Sequence, residues 1–492
     1  MKKTILAGAS ILALGLAAPA LAQSTSDIDQ TGNGNGATVG QTGSSTSDID
    51  QDGDGNNAGV DQDGDGNSST IDQDAFGASA DVSQTGDDNS SMVDQNDANP
   101  LPSGVFDPTA TVTQNGSLNG STITQTAAGD ATLLDASVDQ SGSGNMSMIT
   151  QSADGAGAAT GNLSASVVQT NGAMSSISQN ITADGANNAA ANITQDGASS
   201  SFVIQNLTKD DSNTFDATVN QTGDAHMSTV LQESAGGGTP NDLQAVVTQT
   251  GFDNTSTVTQ KGSRSRAGVI QSNSGNTSNI LQGPFDQEVD VNQSGADNFS
   301  DVLQRGFGED ATIDQSGDRN SSYVTQVNST NRSDAFINQT GDDNTSNLLQ
   351  NGGSLNVATV NQGGQGSSSD ILQTASSWED SATVNQFAGA DQNSASITQR
   401  GVGTGGNLSQ NSAEITQDGG LFNTSSIEQL GRLNDATSWQ DGSNLASTIF
   451  QDGTSNAATV MQSGDGNVSN VSQSGDGNSA SVNQGTVAPP VL

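Results

Sequence analysis

Apolar and polar residues alternate with a period of two over short stretches that recur along the chain. In the stretch from Asn478 to Gln484, one set of alternate positions holds Asn, Ala, Val and Gln, and the other set holds Ser and Asn. This alternation predicts a β-strand with one buried face. Turn-forming residues precede the stretch, from Ser474 to Gly477, where glycine permits positive φ and aspartate can bond nearby backbone groups. The pattern therefore predicts strands of about seven residues joined by turns of about four.

The stretches are copies of one unit, Gln-x-Gly-x-x-Asn-x-(Ala/Ser)-x-(Val/Ile)-x-Gln. Its glutamines recur from Gln30 to Gln484, and Gln462, Gln473 and Gln484 are eleven residues apart. Roughly 38 such glutamines are present, so the chain is a repeat array and has to be interpreted as one.

The spacing of the insertions indicates how many units form one coil of the array. Longer spacings end at every second glutamine in one region, at Gln114, Gln140, Gln169, Gln195, Gln221 and Gln249. Later insertions before Gln339, Gln362, Gln386 and Gln417 keep this alternation, whereas those before Gln399 and Gln429 break it. If two units form one coil, nearly all the added residues lie at one edge. A three-sided coil would give no reason for the alternation.

We therefore predict an all-β fold, a two-sided β-solenoid built as a parallel cross-β stack. It would have about 19 rungs of two strands each, spaced by roughly 4.8 Å, over a length of about 90 Å. Identical inward residues would stack along its axis, with Val or Ile in the centre and Asn and Gln amides bonded to one another at the ends of each strand. The residues expected to form such columns include Asn67, Ile71, Gln73, Asn89, Val93, Gln95, Asn467, Val471, Gln473, Asn478, Val482 and Gln484.

Composition narrows the possible functions. The chain has 492 residues, a formal net charge of -43, no cysteine and 30% hydrophobic residues, a composition that without the repeat would favour disorder. So acidic a surface disfavours nucleic-acid binding. No catalytic constellation stands out, and we expect no enzyme activity, no cofactor and no metal-binding residue.

The first residues have the features of a secretory signal peptide. Lys2 and Lys3 precede an apolar run from Ile5 to Leu16, and small residues follow up to Ala22. The domain prediction is a signal peptide over 1–22, the repeat domain over 23–484 and a short tail over 485–492. The mature chain is expected to leave the cytoplasm and to contain no membrane span.

The unit resembles the curlin repeat of curli fibre subunits. The shared features are Gln-x4-Asn-x5-Gln and a glycine two residues after the first glutamine, as in Gln462, Gly464, Asn467 and Gln473. The resemblance implies a secreted functional amyloid whose subunits stack into extracellular fibres of a bacterial biofilm. It also implies a Gram-negative-type cell surface reached through the periplasm. The implied partners are further copies of the chain, other curlin-like subunits and a curli-type secretion apparatus.

The chain departs from an ordinary curlin in three respects. It has several times the repeat number, and its repeats begin almost at once, at Ser26 to Gln30, without a glycine-rich targeting segment. It also carries irregular insertions, such as the one from Asn96 to Pro108.

Three groups of residues invite a chemical interpretation. The stretches 50–56 and 61–67 look like calcium loops but lack the glutamate of a twelve-residue loop, so solvated turns are favoured over a weak site that joins Asp65 to Asp87 and Asp88. The basic residues Lys261, Arg264 and Arg266 are interpreted as a patch that relieves charge. His226, in a turn-like segment, is interpreted as a solvated residue.

Two function classes remain open from the sequence. One is a fibre-forming structural protein, either a subunit or an accessory. The other is a monomeric secreted β-solenoid that acts as an adhesin or binds a surface or ligand, with calcium as a possible stabiliser.

Overall fold

The strands that the alternation predicts are present throughout the computed structural model. It describes residues 23–97, 107–127, 132–153, 161–182, 187–208, 214–234, 242–329, 331–375, 378–401 and 409–485. The predicted signal peptide, nearly all of the predicted tail and residues 98–106 of the insertion between Asn96 and Pro108 lie outside the described residues. None of the described segments forms a helix of the length and hydrophobicity needed to cross a membrane.

Most of the strands belong to two long parallel sheets of nineteen strands each. The first sheet contains β1 (Thr25–Thr31), β3 (Thr46–Asp52), β5 (Ser68–Asp74), β7 (Ser90–Asp97), β9 (Gly120–Ala127), β11 (Met146–Ala153), β13 (Met174–Ile181), β15 (Ser200–Leu207), β17 (Met227–Glu233), β19 (Thr255–Lys261), β21 (Thr277–Gln282), β23 (Phe299–Arg305), β25 (Ser321–Val327), β27 (Thr345–Asn351), β29 (Ser368–Ala375), β32 (Ser394–Gly401), β35 (Thr424–Arg432), β37 (Ala446–Thr454) and β39 (Val468–Ser474).

The second sheet lies opposite the first and is formed by the alternate strands. It contains β2 (Gly36–Thr42), β4 (Asn57–Asp63), β6 (Ser79–Thr85), β8 (Thr109–Ser117), β10 (Thr132–Ser143), β12 (Gly161–Thr170), β14 (Asn188–Asp196), β16 (Thr214–Asp224), β18 (Asp242–Phe252), β20 (Ser265–Gln271), β22 (Glu288–Gln293), β24 (Glu309–Gln315), β26 (Ser333–Gln339), β28 (Val357–Gln362), β30 (Ser381–Gln386), β33 (Ser412–Gln417), β36 (Asp435–Ser443), β38 (Ala457–Asp465) and β40 (Ser479–Gln484).

The pairing register confirms the two-sided solenoid. Each strand pairs with the next strand of its own sheet, one full coil away, and like residues face each other, as in the pairing of Ile71 with Val93 and of Gln73 with Gln95. One strand from each sheet forms a rung, so the nineteen strands per sheet agree with the predicted 19 rungs.

The core is a thin layer between the sheets, filled by one central column from each sheet that consists of Val and Ile except at Leu348 and Ser438. Ile71 and Val93 of the first sheet are 0% exposed, and Val60 and Val82 of the second are 3% exposed. The inward position two residues earlier differs between the sheets: it is usually serine in the first sheet, as in Ser69, and usually alanine in the second. Small residues at this position let the two sheets approach closely. Close approach is needed because the chain has few large apolar side chains to fill a wider space.

Most insertions lie at one edge of the solenoid, as the alternation of long and short spacings predicted. The six longer gaps between 98 and 241 each connect a first-sheet strand to the following second-sheet strand. We call this edge of the solenoid the insertion edge, and the opposite edge, where the chain passes from the second sheet back to the first, the return edge. A second apolar cluster fills the insertion edge of these rungs and includes Leu134, Leu163, Ile181, Leu207 and Phe215.

The two insertions that break the alternation, before Gln399 and Gln429, also stack on each other. They lie at the return edge, before β32 and before β35, and each contributes one short strand. These strands, β31 (Ala390–Asp391) and β34 (Gly420–Leu421), pair in parallel as a third, two-stranded sheet.

The glycine of the unit is required at the turns by close approach between rungs. Gly431 has φ of 109°, and a Cβ atom there would overlap the carbonyl oxygen of Gly453 in the next rung. Gly453 is in the same situation relative to Gly475. The repeated glycine therefore follows from the inter-rung spacing as well as from the left-handed backbone conformation.

Candidate assembly interface

A continuous column of glutamine amides runs along each sheet. In the first sheet each Nε2 donates to the Oε1 of the glutamine one rung closer to the C-terminus, at 2.6 to 3.1 Å. In the second sheet the same bonds measure 2.7 to 3.0 Å. The columns start at Gln30 and Gln41 and reach Gln473 and Gln484.

From Gln41 onwards, each amide also bonds across the core to the opposite sheet. The second N–H of Gln73 donates to the carbonyl oxygen of Asn57, at 3.1 Å, in the strand facing it. Because a backbone carbonyl can only accept, the nitrogen of every amide must face it, and this fixes the direction of the whole column. The glutamine amides of both columns therefore donate towards the C-terminal end of the solenoid.

Asparagines form a second type of column at the turns of the return edge. The Oδ1 of Asn67 accepts the backbone N–H of Asn89 in the next rung, at 3.0 Å. The Nδ2 of Asn89 donates to the carbonyl oxygen of Gly116, at 2.8 Å. The asparagine side chains thus bond to backbone N–H and carbonyl groups that have no partner within a sheet. Buried backbone groups of a turn need such partners.

The predicted column residues near the N-terminal end are neighbours and are fully buried. Asn67 lies next to Asn89, Ile71 next to Val93 and Gln73 next to Gln95, with exposed fractions of 0 to 1%.

The predicted column residues near the C-terminal end are less covered. Val471 and Gln473 are each 6% exposed, Val482 and Gln484 are half-buried, and Asn478 is exposed because no described rung follows it. Asn467 does not bond to an asparagine below it, since Leu445 occupies the preceding column position, and its Nδ2 donates to the carbonyl oxygen of Ser463 instead.

The two end rungs have opposite hydrogen-bonding character. Within the described residues, β1 and β2 have a strand neighbour only on their C-terminal side, and β39 and β40 only on their N-terminal side. The first rung therefore presents the acceptor Oε1 atoms of Gln30 and Gln41. The last rung presents N–H donors of Gln473 and Gln484, whose other N–H groups already bond to Ala457 and Val468.

Comparison with known families agrees with this geometry. Four segments, 44–74, 241–272, 309–341 and 453–485, match the family described as the curlin associated repeat. The chain contains curlin repeats. The matched segments lie in the N-terminal, central and C-terminal parts of the solenoid, and each covers consecutive strands of both sheets. No curated protein matches the chain.

The turn aspartates of this curlin-repeat protein bind backbone groups. The Oδ1 of Asp65 accepts the N–H of Ser44, at 2.9 Å, and the N–H of Asp65 donates to the Oδ1 of Asp87, at 3.0 Å. Asp65 and Asp87 are therefore neighbours, as the sequence suggested, but a backbone N–H stands between their carboxylates. In the part of the chain that the structure describes, no Asp, Glu or His side chains are grouped to hold a metal ion.

The basic residues singled out in the sequence pair with acids in adjacent rungs. Lys261 lies 2.9 Å from Glu233, Arg264 lies 2.7 Å from Asp286, and Arg266 lies 2.6 Å from Glu288. All these side chains are at least a third exposed, so each pair contributes little stability and neutralises one acid locally.

His226 is buried, and its interpretation as a solvated residue is wrong. It is 1% exposed and occupies the asparagine position of the return edge, between Ser199 and Asn254. Its Nε2–H donates to the carbonyl oxygen of Thr222, at 3.1 Å, and its Nδ1 accepts the N–H of Asn254, at 3.3 Å. Burial lowers the pKa of His226, against a smaller raising effect of the bond to Thr222. The signal in the sequence was its position five residues after Gln221.

Glu309 is a buried acid that the sequence interpretation missed. It lies five residues after Gln304, at the asparagine position of the insertion edge, and is 0% exposed. Its carboxylate accepts the N–H of Gly306, at 2.8 Å, and the hydroxyl of Ser329, at 2.6 Å. Burial raises the pKa of Glu309 to about 7, and these hydrogen bonds only partly oppose the shift.

Replacing one column glutamine should weaken several rungs. In Gln260→Leu, the donor of Gln232 and the acceptor of Gln282 lose their partners, and each unsatisfied buried group costs about 1–3 kcal/mol. We therefore expect local opening around β19 to become easier by about 2–6 kcal/mol, measured by amide hydrogen exchange. Thr257→Leu, on the outer face of the same strand, is the matched control, and equal exchange in the two variants would contradict the role of the column.

The rung that contains Glu309 should be more stable in mild acid. Its folded pKa of about 7 exceeds the unfolded value of 4.5, so the folded state holds the proton more tightly. The resulting stabilisation is complete below about pH 4.5 and is lost as the pH rises through 7, with a total of roughly 3 kcal/mol.

Glu309→Gln should remove this pH dependence. Hydrogen exchange of the β24 amides, compared between variant and parent at the same pH, should show the variant to be more protected at pH 8 and little different at pH 5. Glu288→Gln, an exposed acid in the preceding rung, is the control. The assignment fails if Glu309→Gln changes protection by the same amount at both pH values.

Proposed function

We propose that this curlin-repeat protein is a secreted structural protein, a curli-like functional amyloid subunit or accessory that stacks end to end into extracellular fibres for a biofilm matrix and adhesion. The observation that carries the proposal is the complementarity of the two end rungs. One end offers amide acceptors and the other offers amide donors, at the ends of the same two columns.

The residues of the two end rungs also match in register. If β39 of one copy pairs with β1 of the next as it pairs with β37, then Ser469 faces Ser26, Val471 faces Ile28 and Gln473 faces Gln30. The same operation places β40 on β2, with Ala480 on Ala37, Val482 on Val39 and Gln484 on Gln41. Serine meets serine and alanine meets alanine, so the difference between the sheets continues across the junction.

The outer faces at this junction avoid repulsion between like charges. Asp27 and Asp29 of the first rung would lie beside Asn470 and Ser472 of the last rung. Head-to-head contact would instead bring the two acidic first rungs together. The charge distribution therefore favours one polarity of stacking, head to tail, which keeps the strands parallel.

Charge placed in the core of the first rung should block growth of the fibre. Ile28→Lys puts an ammonium group where Val471 of the next copy would pack, whereas Thr38→Lys adds the same charge on the outer face of that rung. We expect Ile28→Lys to slow seeded elongation at least tenfold and Thr38→Lys to leave it near the parent rate. The measurement is thioflavin fluorescence after dilution of the purified chain from denaturant, with electron microscopy and fibre diffraction at the plateau.

The outcomes of this experiment separate the two function classes. Fibrils with a spacing near 4.8 Å along their axis that seed fresh protein support the proposal. A parent chain that stays a soluble β-rich monomer would overturn it and favour the monomeric adhesin. Equal elongation of both variants would show that growth does not use the end rungs.

Stacked aspartates on the outer face should slow the folding of the first rungs at neutral pH, and with it the assembly of chains diluted from denaturant. Asp29, Asp50, Asp72 and Asp94 form one column across four adjacent first-sheet strands. Burial, and then the neighbouring Asp94 and Asp50, raise the pKa of Asp72. Because the raised pKa favours the protonated form in the folded column, lower pH should relieve the repulsion and speed assembly, as should added salt.

Two double variants with the same change in net charge test the role of the column. Asp50→Asn with Asp72→Asn should assemble faster at pH 7 and respond less to acid. Asp139→Asn with Glu414→Gln, whose neighbours along the column are uncharged, should behave like the parent. Assembly rates that do not change with pH, salt or either variant would exclude the electrostatic effect.

A further inference from the structure

The outer face of the first sheet carries an exposed strip of methionines. Of the seven methionines in the chain, five lie on this face: Met92, Met146, Met148, Met174 and Met227. Their exposed fractions are 44 to 57%, so the thioethers lie in contact with solvent and outside the core. Sulfur-containing side chains are otherwise scarce, since the chain has no cysteine.

Met146, Met148 and Met174 occupy three corners of a rectangle on the sheet surface. Met146 and Met148 lie two residues apart in β11 and therefore point to the same face. Met174 of β13 pairs in register with Met146, one rung away, and Ser176 occupies the fourth corner beside Met148. Two residues along a strand and one rung across it correspond to roughly 7 and 4.8 Å between Cα atoms, distances that flexible methionine side chains can span.

The surroundings leave room for the thioethers to converge. The neighbours of the trio in the same columns are Gly120, Thr122, Ser176 and Ser200, all of them small. A Cβ atom built at Gly120 would meet nothing within 4 Å, which shows open space beside Met146. No lysine or arginine lies between residues 23 and 208, so no fixed positive charge in that part of the sequence opposes a cation.

We propose that Met146, Met148 and Met174 form a binding site for a soft monovalent metal ion, Cu(I). Thioether sulfur is a soft donor that selects Cu(I), whereas hard cations such as Ca²⁺ and Mg²⁺ take oxygen ligands. Three neutral thioethers suit a singly charged ion and leave the oxidation state of the metal unchanged on binding. The site is independent of fibre formation, because the outer face of these internal rungs takes no part in end-to-end stacking.

Competition with bicinchoninate under anaerobic conditions tests the site on the full chain. We expect one Cu(I) per chain in the tight class, binding of Ag(I) as a redox-stable substitute, and no comparable binding of Cu(II) or Zn(II). Met148→Leu and Met174→Leu should each weaken Cu(I) binding at least tenfold. Leucine keeps the volume and apolar character of methionine, so the fold is retained.

Two matched controls separate a built site from general thioether affinity. Met92→Leu removes an exposed methionine of the same face, and Met461→Leu removes one from the second sheet; both should bind Cu(I) like the parent. With ¹³C-labelled ε-methyl groups, Ag(I) should shift the signals of the three site methionines only. Equal weakening in all four variants, unchanged binding in Met148→Leu, or equally tight binding of Zn(II) would each overturn the proposal.

Discussion

The fold depends on the side-chain amide of the glutamine that recurs near the end of each strand. One amide N–H bonds to the next rung and the other bonds to the facing sheet, so a single residue type joins rungs along the axis and sheets across the core. In an ordinary domain a buried glutamine must find irregular partners, and unpaired amides are costly. Here identical neighbours supply the partners, and a chain with 30% hydrophobic residues can fold around a core one or two side chains thick.

This arrangement explains why the solenoid needs uniform register more than it needs large apolar side chains. A glutamine displaced by one residue would point outward and leave two neighbours without a partner. The central Val and Ile columns exclude water from the amides, and the amides in turn hold these columns in line. Neither column would be stable without the other, because the apolar layer is thin and isolated amide bonds gain little in water.

Much of the fold could be predicted from the sequence because the spacing of the repeated glutamines determines the register in which the strands pair. Two strands per rung, the side of most insertions and the inward positions of Ile71 or Gln73 could all be read from spacing alone. The insertion-edge cluster around Phe215 and Leu243 could not, since it depends on how inserted segments of unequal length stack on one another. His226 was misread and Glu309 was missed for a different reason. His226 was judged by its own chemistry and Glu309 was not considered, although the distance of each from the preceding glutamine placed it in a buried column.

The serine and alanine columns carry a consequence for how such a chain can change in length. Because odd units belong to the sheet with serine inside and even units to the sheet with alanine inside, the array has a reading frame of two units. Duplication or loss of a single unit would transfer every later strand to the wrong sheet and move every later insertion to the opposite edge. An array of this kind can therefore be lengthened or shortened without disruption only by whole rungs. The rung, although it has no core of its own, is thus the smallest unit whose duplication or loss preserves the fold.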